Sequence, residues 1–132
     1  MTDYNVMPDY QTRRKIINDI CEKYSFVHHS FAGKSVCGRC IDVLHIGNTK
    51  NCVLYCAGFH GSEYLTVTAV LKFFEQCADA MENDSVVGRY KIRDFLREKG
   101  LTIVPCVNPD GVEIAIPVSY THLRAHETTL HL

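Results

Sequence analysis

Apolar residues Ile16, Ile17, Ile20, Cys21 and Tyr24 recur at three- and four-residue spacing, which predicts an amphipathic helix over 10–24. A strand-like stretch follows over 26–32 and ends at Gly33. Over 40–46, Ile41, Val43 and His45 alternate with Leu44 and Ile46, which predicts a strand. The run 47–51, Gly-Asn-Thr-Lys-Asn, has the turn chemistry of a hairpin connection to the next strand. Residues 52–57 are apolar throughout, the pattern of a strand buried on both faces, and Gly58 closes it. A long helix is predicted over 63–81, with Leu65, Ala69, Val70, Phe73, Phe74, Cys77 and Met81 on its apolar side. Glu82 to Ser85 break it. A shorter helix is predicted over 88–99 with Gly100 as its C-terminal cap. A last strand over 101–107 ends at the turn signal Asn108-Pro109-Asp110-Gly111.

Strands, then helices, then a further strand imply an α/β fold, a mixed sheet flanked by helices on both sides. The 132 residues suit one domain, and a net charge of -1 gives no electrostatic case for a nucleic-acid or membrane partner. The longest apolar stretch, 52–59, is too short to span a bilayer. The first ten residues lack the basic and apolar segments of a secretory signal, so the cytoplasm is the default compartment, with export left open. In that setting the seven cysteines are expected to be reduced and mostly buried. The pattern changes near Pro117. Residues 118–132 have no apolar period and concentrate histidine, and they read as an adaptor-derived, non-native tail. The domain is therefore set at 1–117, and His122, His126, Glu127 and His131 are excluded from any site.

Candidate chemistry centres on Gly58-Phe59-His60-Gly61-Ser62-Glu63, at the end of a buried strand and the start of a helix. Ligands in open α/β sheets collect beyond such strand ends. His60 and Glu63 are three residues apart, so one turn can aim both at one point, and an imidazole and a carboxylate are ordinary zinc ligands. Gly58 and Gly61 leave room for the backbone to bend around an ion, and Ser62 is placed to cap the helix. On the residues alone the plainer reading is a loop histidine and a helix-stabilising acid at a positive helix end.

Four segments together resemble the carboxypeptidase A-like zinc peptidases, bacterial members above all. They are 33–39 leading into a strand, the strand pair before His60, His60-Gly61-Ser62-Glu63 itself, and Val104 to Gly111 with its Asn-Pro-x-Gly turn. The similarity covers about 11–116. It implies a zinc metallocarboxypeptidase acting on a peptide bond at or near a C-terminus, with cell-wall peptides a plausible substrate. By resemblance His60 and Glu63 are the first two zinc ligands. The third ligand, the general-base glutamate and the substrate-binding arginines fall downstream of the Asn-Pro-x-Gly turn, so the chain as given is expected to be truncated and inactive.

Two readings from other classes stand beside it. One is a non-catalytic fragment or pseudoenzyme. The other is a thiol redox or zinc-thiolate module built on Cys37-x-x-Cys40. His28 and His29 point to opposite faces of a strand and do not share a metal. Arg39 is read as a salt-bridge or strand-end residue, Asp110 as a turn former, and Arg13, Arg14 and Lys15 as a solvated helix face. Oligomeric state is not legible.

Overall fold

The computed structural model describes residues 2–121, with backbone only for 117–121. Asp9 opens the first helix, α1 (Tyr10–Lys23), by accepting a hydrogen bond from the Thr12 amide at 2.8 Å. Its buried face is Ile16, Ile17 and Ile20, as the spacing predicts, but Arg13 is buried with them. The Arg13 guanidinium donates to the Pro8 carbonyl at 3.1 Å and lies 5.3 Å from the Tyr10 ring centre. The solvated face expected of Arg13 and Arg14 is thus corrected: chain preceding the helix folds over Arg13, and Arg14 pairs with Asp42 at 2.7 Å. Lys15 does remain exposed.

The strands are β1 (His28–Lys34), β2 (Cys40–Ile46), β3 (Cys52–Cys56) and β6 (Gly100–Val104), in the order β1-β2-β6-β3. β1 and β2 pair antiparallel, as do β2 and β6, while β3 runs parallel to β6. Two expectations fail here for one reason. The turn over 47–51 does not make a hairpin, because β6 inserts between β2 and β3. Among the described residues β3 therefore lies at an edge of the sheet, and it is not buried on both faces as expected, since Leu54 and Tyr55 are 59% and 49% exposed.

Register aligns Leu44 with Ile103 and Ile46 with Leu101, and these four fully or nearly fully buried side chains form the covered face. Leu71 and Phe74 of α2 (Leu65–Glu82) complete the core together with Tyr24, Val112 and Ile116. Each such side chain removed from water stabilises the fold by about 1.5–3 kcal/mol. The opposite face carries His45, hydrogen-bonded to Thr102 Oγ1 at 2.7 Å, and the exposed Leu54. The α2 face is also rotated from its expected position. Val67, Thr68, Leu71, Phe74, Glu75, Cys77, Ala78 and Ala80 are buried, whereas Leu65 and Phe73 are 70% and 37% exposed. Glu75 can be buried because the Tyr4 hydroxyl donates to it at 2.7 Å.

The helix expected over 88–99 splits. Gly88 at φ 64° turns a small hairpin between β4 (Val86–Val87) and β5 (Tyr90–Lys91), and only α3 (Ile92–Glu98) is helical. Gly100 does not cap it. Lys99 does, and a Cβ on Gly100 would lie 2.1 Å from the Asn48 carbonyl, so close approach is what calls for glycine there. The predicted turn at 108–111 is the start of α4 (Pro109–Thr121). Asn108 caps it by accepting from the Gly111 amide at 3.0 Å, and Pro109 occupies the first helical position, where its missing N–H costs nothing. Of the tail expected to be foreign, 118–132, residues 118–121 continue the backbone of α4 and the remainder lies outside the described residues.

Candidate metal centre

The parallel strand β3 delivers the chain to Ala57 and Gly58, both buried, and the following loop rises at the sheet's C-terminal end. Gly58 has φ 68°, a left-handed conformation, and a Cβ there would meet Cys106 and Val67 at 3.0 Å. His60 precedes a single 3-10 turn, Gly61–Glu63, closed by the Glu63 amide donating to the His60 carbonyl at 2.9 Å. The α2 helix begins two residues later. The expected cap by Ser62 does not form, because Ser62 lies inside the 3-10 turn and the cap position falls to Tyr64, whose side chain does not cap the helix.

The backbone of this loop is held almost group by group. The Gly58 amide donates to Thr66 Oγ1 at 3.1 Å, and that hydroxyl donates to the Glu63 carbonyl at 2.8 Å. The Gly58 carbonyl accepts from the Asn108 amide at 2.9 Å, and the Phe59 carbonyl accepts from Asn108 Nδ2 at 3.1 Å. A Cβ on Gly61 would lie 2.2 Å from the Gly111 carbonyl oxygen. The space beside Gly61 is therefore filled by the start of α4. The side chains are treated differently: His60 and Glu63 are both exposed.

Imidazole and carboxylate suit zinc, and the pair flanks one turn with Glu63 at the positive end of α2. Among the described residues no group of three His, Cys, Asp or Glu side chains can hold a metal. The donor chemistry thus fits zinc, but the set is short of the three protein ligands a catalytic zinc site takes.

The other candidate, the thiol pair, sits against the start of α4, where the Cys37 amide donates to Asp110. Cys37, within the turn between β1 and β2, is exposed, Cys40, the first residue of β2, is half-buried, and all seven cysteines are free thiols. Only Cys77 and Cys106 are buried, fewer than expected. Burial pushes the Cys77 thiol up to about 11 and raises Cys106 as well, so both behave as apolar groups. The turn is anchored by Asp110, which accepts from Arg39 Nη1 at 2.9 Å, Ser35 Oγ at 2.8 Å and the Cys37 amide at 3.1 Å. Burial acts to raise the Asp110 carboxyl, but these bonds outweigh it and hold it at about 2 against an ordinary 3.8. Arg39 is a salt-bridge residue, as its position suggested, and Asp110 does more than form a turn.

Two groups escaped the sequence reading. Asp42, buried in β2, accepts from Arg14 and contacts His29 Nε2 at 2.7 Å each. Asn108 was absorbed into a turn motif, although Asn before Pro, with Gly three residues on, also marks a helix cap.

A sequence profile of the zinc carboxypeptidases, Peptidase_M14, matches residues 14–127. The chain belongs to the zinc carboxypeptidase family. Among its relatives in that family, gamma-D-glutamyl-L-diamino acid endopeptidase 1 of Lysinibacillus sphaericus is 29% identical over 108 residues, which are 82% of this chain and 27% of that protein. A zinc carboxypeptidase of Saccharothrix mutabilis subsp. capreolus is 27% identical over 112 residues, 80% of this chain and 25% of the relative. The chain therefore spans about a quarter of the length of these relatives. Solved structures agree on the fold. Carboxypeptidase A from Helicoverpa armigera superposes with a TM-score of 0.68 at 21% identity, covering 89% of this chain and 28% of that one. Bovine thrombin-activatable fibrinolysis inhibitor, in complex with tick carboxypeptidase inhibitor, gives 0.69 at 19% identity, covering 89% and 35%. The zinc carboxypeptidase fold thus accounts for the mixed sheet and for the helices against it.

Proposed function

We propose that this chain supplies the opening part of a zinc-dependent peptidase that cleaves a peptide bond at or near a C-terminus, with His60 and Glu63 as two of its metal ligands. The observation that carries this reading is the loop after β3, whose backbone is fastened while its imidazole and carboxylate are left exposed around one turn. Zinc in such sites acidifies a bound water and polarises a carbonyl. The contribution of this chain is to hold two donor atoms in place. By family resemblance the third ligand, the general base and the arginines that bind a substrate carboxylate belong to residues after the Asn-Pro-x-Gly segment. Turnover is accordingly assigned to the longer protein, and weak metal binding without turnover to these 132 residues. Cell-wall peptides are the substrate class we favour, because a relative is named a gamma-D-glutamyl-L-diamino acid endopeptidase.

The test is a zinc titration followed by the His60 ring resonances and by calorimetry. His60→Ala and Glu63→Ala are each expected to abolish the response, while Cys37→Ser and Cys40→Ser leave it intact. Zinc binding that survives the first pair and disappears with the second would overturn the assignment.

A further inference from the structure

Asn108 hydrogen-bonds neither candidate ligand, yet it reaches the chain just before His60 twice. Its amide N–H donates to the Gly58 carbonyl at 2.9 Å and its Nδ2 donates to the Phe59 carbonyl at 3.1 Å. Its Oδ1 meanwhile accepts from the Gly111 amide at 3.0 Å. These two side-chain bonds fix which end of the amide is which, since only the NH₂ can donate to a carbonyl. On the other side of His60, the Gly61 backbone lies directly against Gly111. A Cβ on Gly111 would stand 2.4 Å from Nδ2 and would push the Asn108 amide from this position. The start of α4 thus grips the loop before and after His60. That start is in turn tied down through Asp110 to Arg39, Ser35 and the Cys37 amide.

We propose that Asn108 is a positioning residue for metal binding: by capping α4 with one end of its amide and holding the Phe59 carbonyl with the other, it sets the backbone from which His60 and Glu63 reach a divalent cation. The proposal rests on the assignment of those two residues as ligands. Groups that orient ligands from one layer out commonly change metal affinity about 10–100-fold when removed. A residue that merely starts a helix has no such effect.

Asn108→Asp separates the two roles. Asp caps helices as well as Asn, so the bond from the Gly111 amide is retained, but its carboxylate cannot donate to the Phe59 carbonyl. The 132-residue chain is titrated with zinc alone, read by the His60 ring resonances, and its amide exchange is followed without metal. The variant is expected to fold with a lowered unfolding midpoint, to exchange the Glu63 amide at least about tenfold faster, and to bind zinc about tenfold more weakly or worse. Asn108→Ser, which also caps but is too short to reach Phe59, is expected to behave the same way and serves if the aspartate variant does not fold. Unchanged zinc affinity in a folded variant would overturn this proposal alone. A wild-type chain whose His60 resonances ignore zinc would overturn the ligand assignment and this proposal with it.

Discussion

The two glycine-containing loops that leave β2 and β3 use their polar groups in opposite ways. In the first, the side chain of Asn48 is consumed by structure. Its Nδ2 donates to the Arg97 and Glu98 carbonyls at 3.1 Å each, and its Oδ1 accepts from the Lys50 and Asn51 amides. In the second, structure is supplied from outside, by Thr66, Asn108 and Gly111, and the loop's own imidazole and carboxylate remain exposed. Both loops are well determined by hydrogen bonds. What distinguishes a candidate site is whose side chains make them: a loop that must offer ligands cannot also use those groups to hold itself together.

The contrast can be broken most sharply at its two close approaches. Gly61→Ala and Gly100→Ala each press a Cβ onto a backbone oxygen, and each is expected to cost about 1–3 kcal/mol in urea unfolding. Only Gly61→Ala should also weaken zinc binding, and an equal loss in both variants would erase the distinction. Asn48→Ala removes several bonds from the structural loop and is expected to cost about 1–2 kcal/mol with no change in zinc affinity.

Acidification tests the tie behind the second loop. The Asp110 carboxyl is depressed, so its contribution is present above about 3.8 and is lost as pH falls toward about 2. The difference in urea midpoint between wild type and Asp110→Asn should accordingly shrink across that window, and a constant difference would refute the linkage. The smallest effects are expected at the exposed ligands themselves. His60→Ala and Glu63→Ala should change metal-free stability by less than about 0.5 kcal/mol, because neither side chain is packed.

Periodicity made the local elements legible. The strand over 40–46 and the first helix are where alternation and three-to-four spacing put them, since each presents one apolar face to a shared core. Partner order was not legible. An apolar run such as 52–56 looks the same in the middle of a sheet as at its edge, and the insertion of β6 between β2 and β3 is decided by residues some fifty positions away. Short elements also misled. The hairpin at 86–91 is too brief to show a period, and the apolar face of α2 is rotated because Glu75 finds Tyr4 and so tolerates burial. At the site, His60 and Glu63 were visible as a motif, but Asn108 and Gly111 were not visible as their supports. Tertiary hydrogen bonds leave no mark on spacing.

The strand order has a consequence for how the protein is made. The strand that bridges β2 and β3 is the last of the four to be synthesised, and the residues that clasp the His60 loop come later still. With translation adding about 5–20 residues per second, a nascent chain spends seconds with two hydrogen-bonding edges and a candidate ligand loop all waiting on a segment still inside the ribosome. Slowing elongation between codons 60 and 110 should therefore lengthen the period in which the emerging polypeptide depends on chaperones.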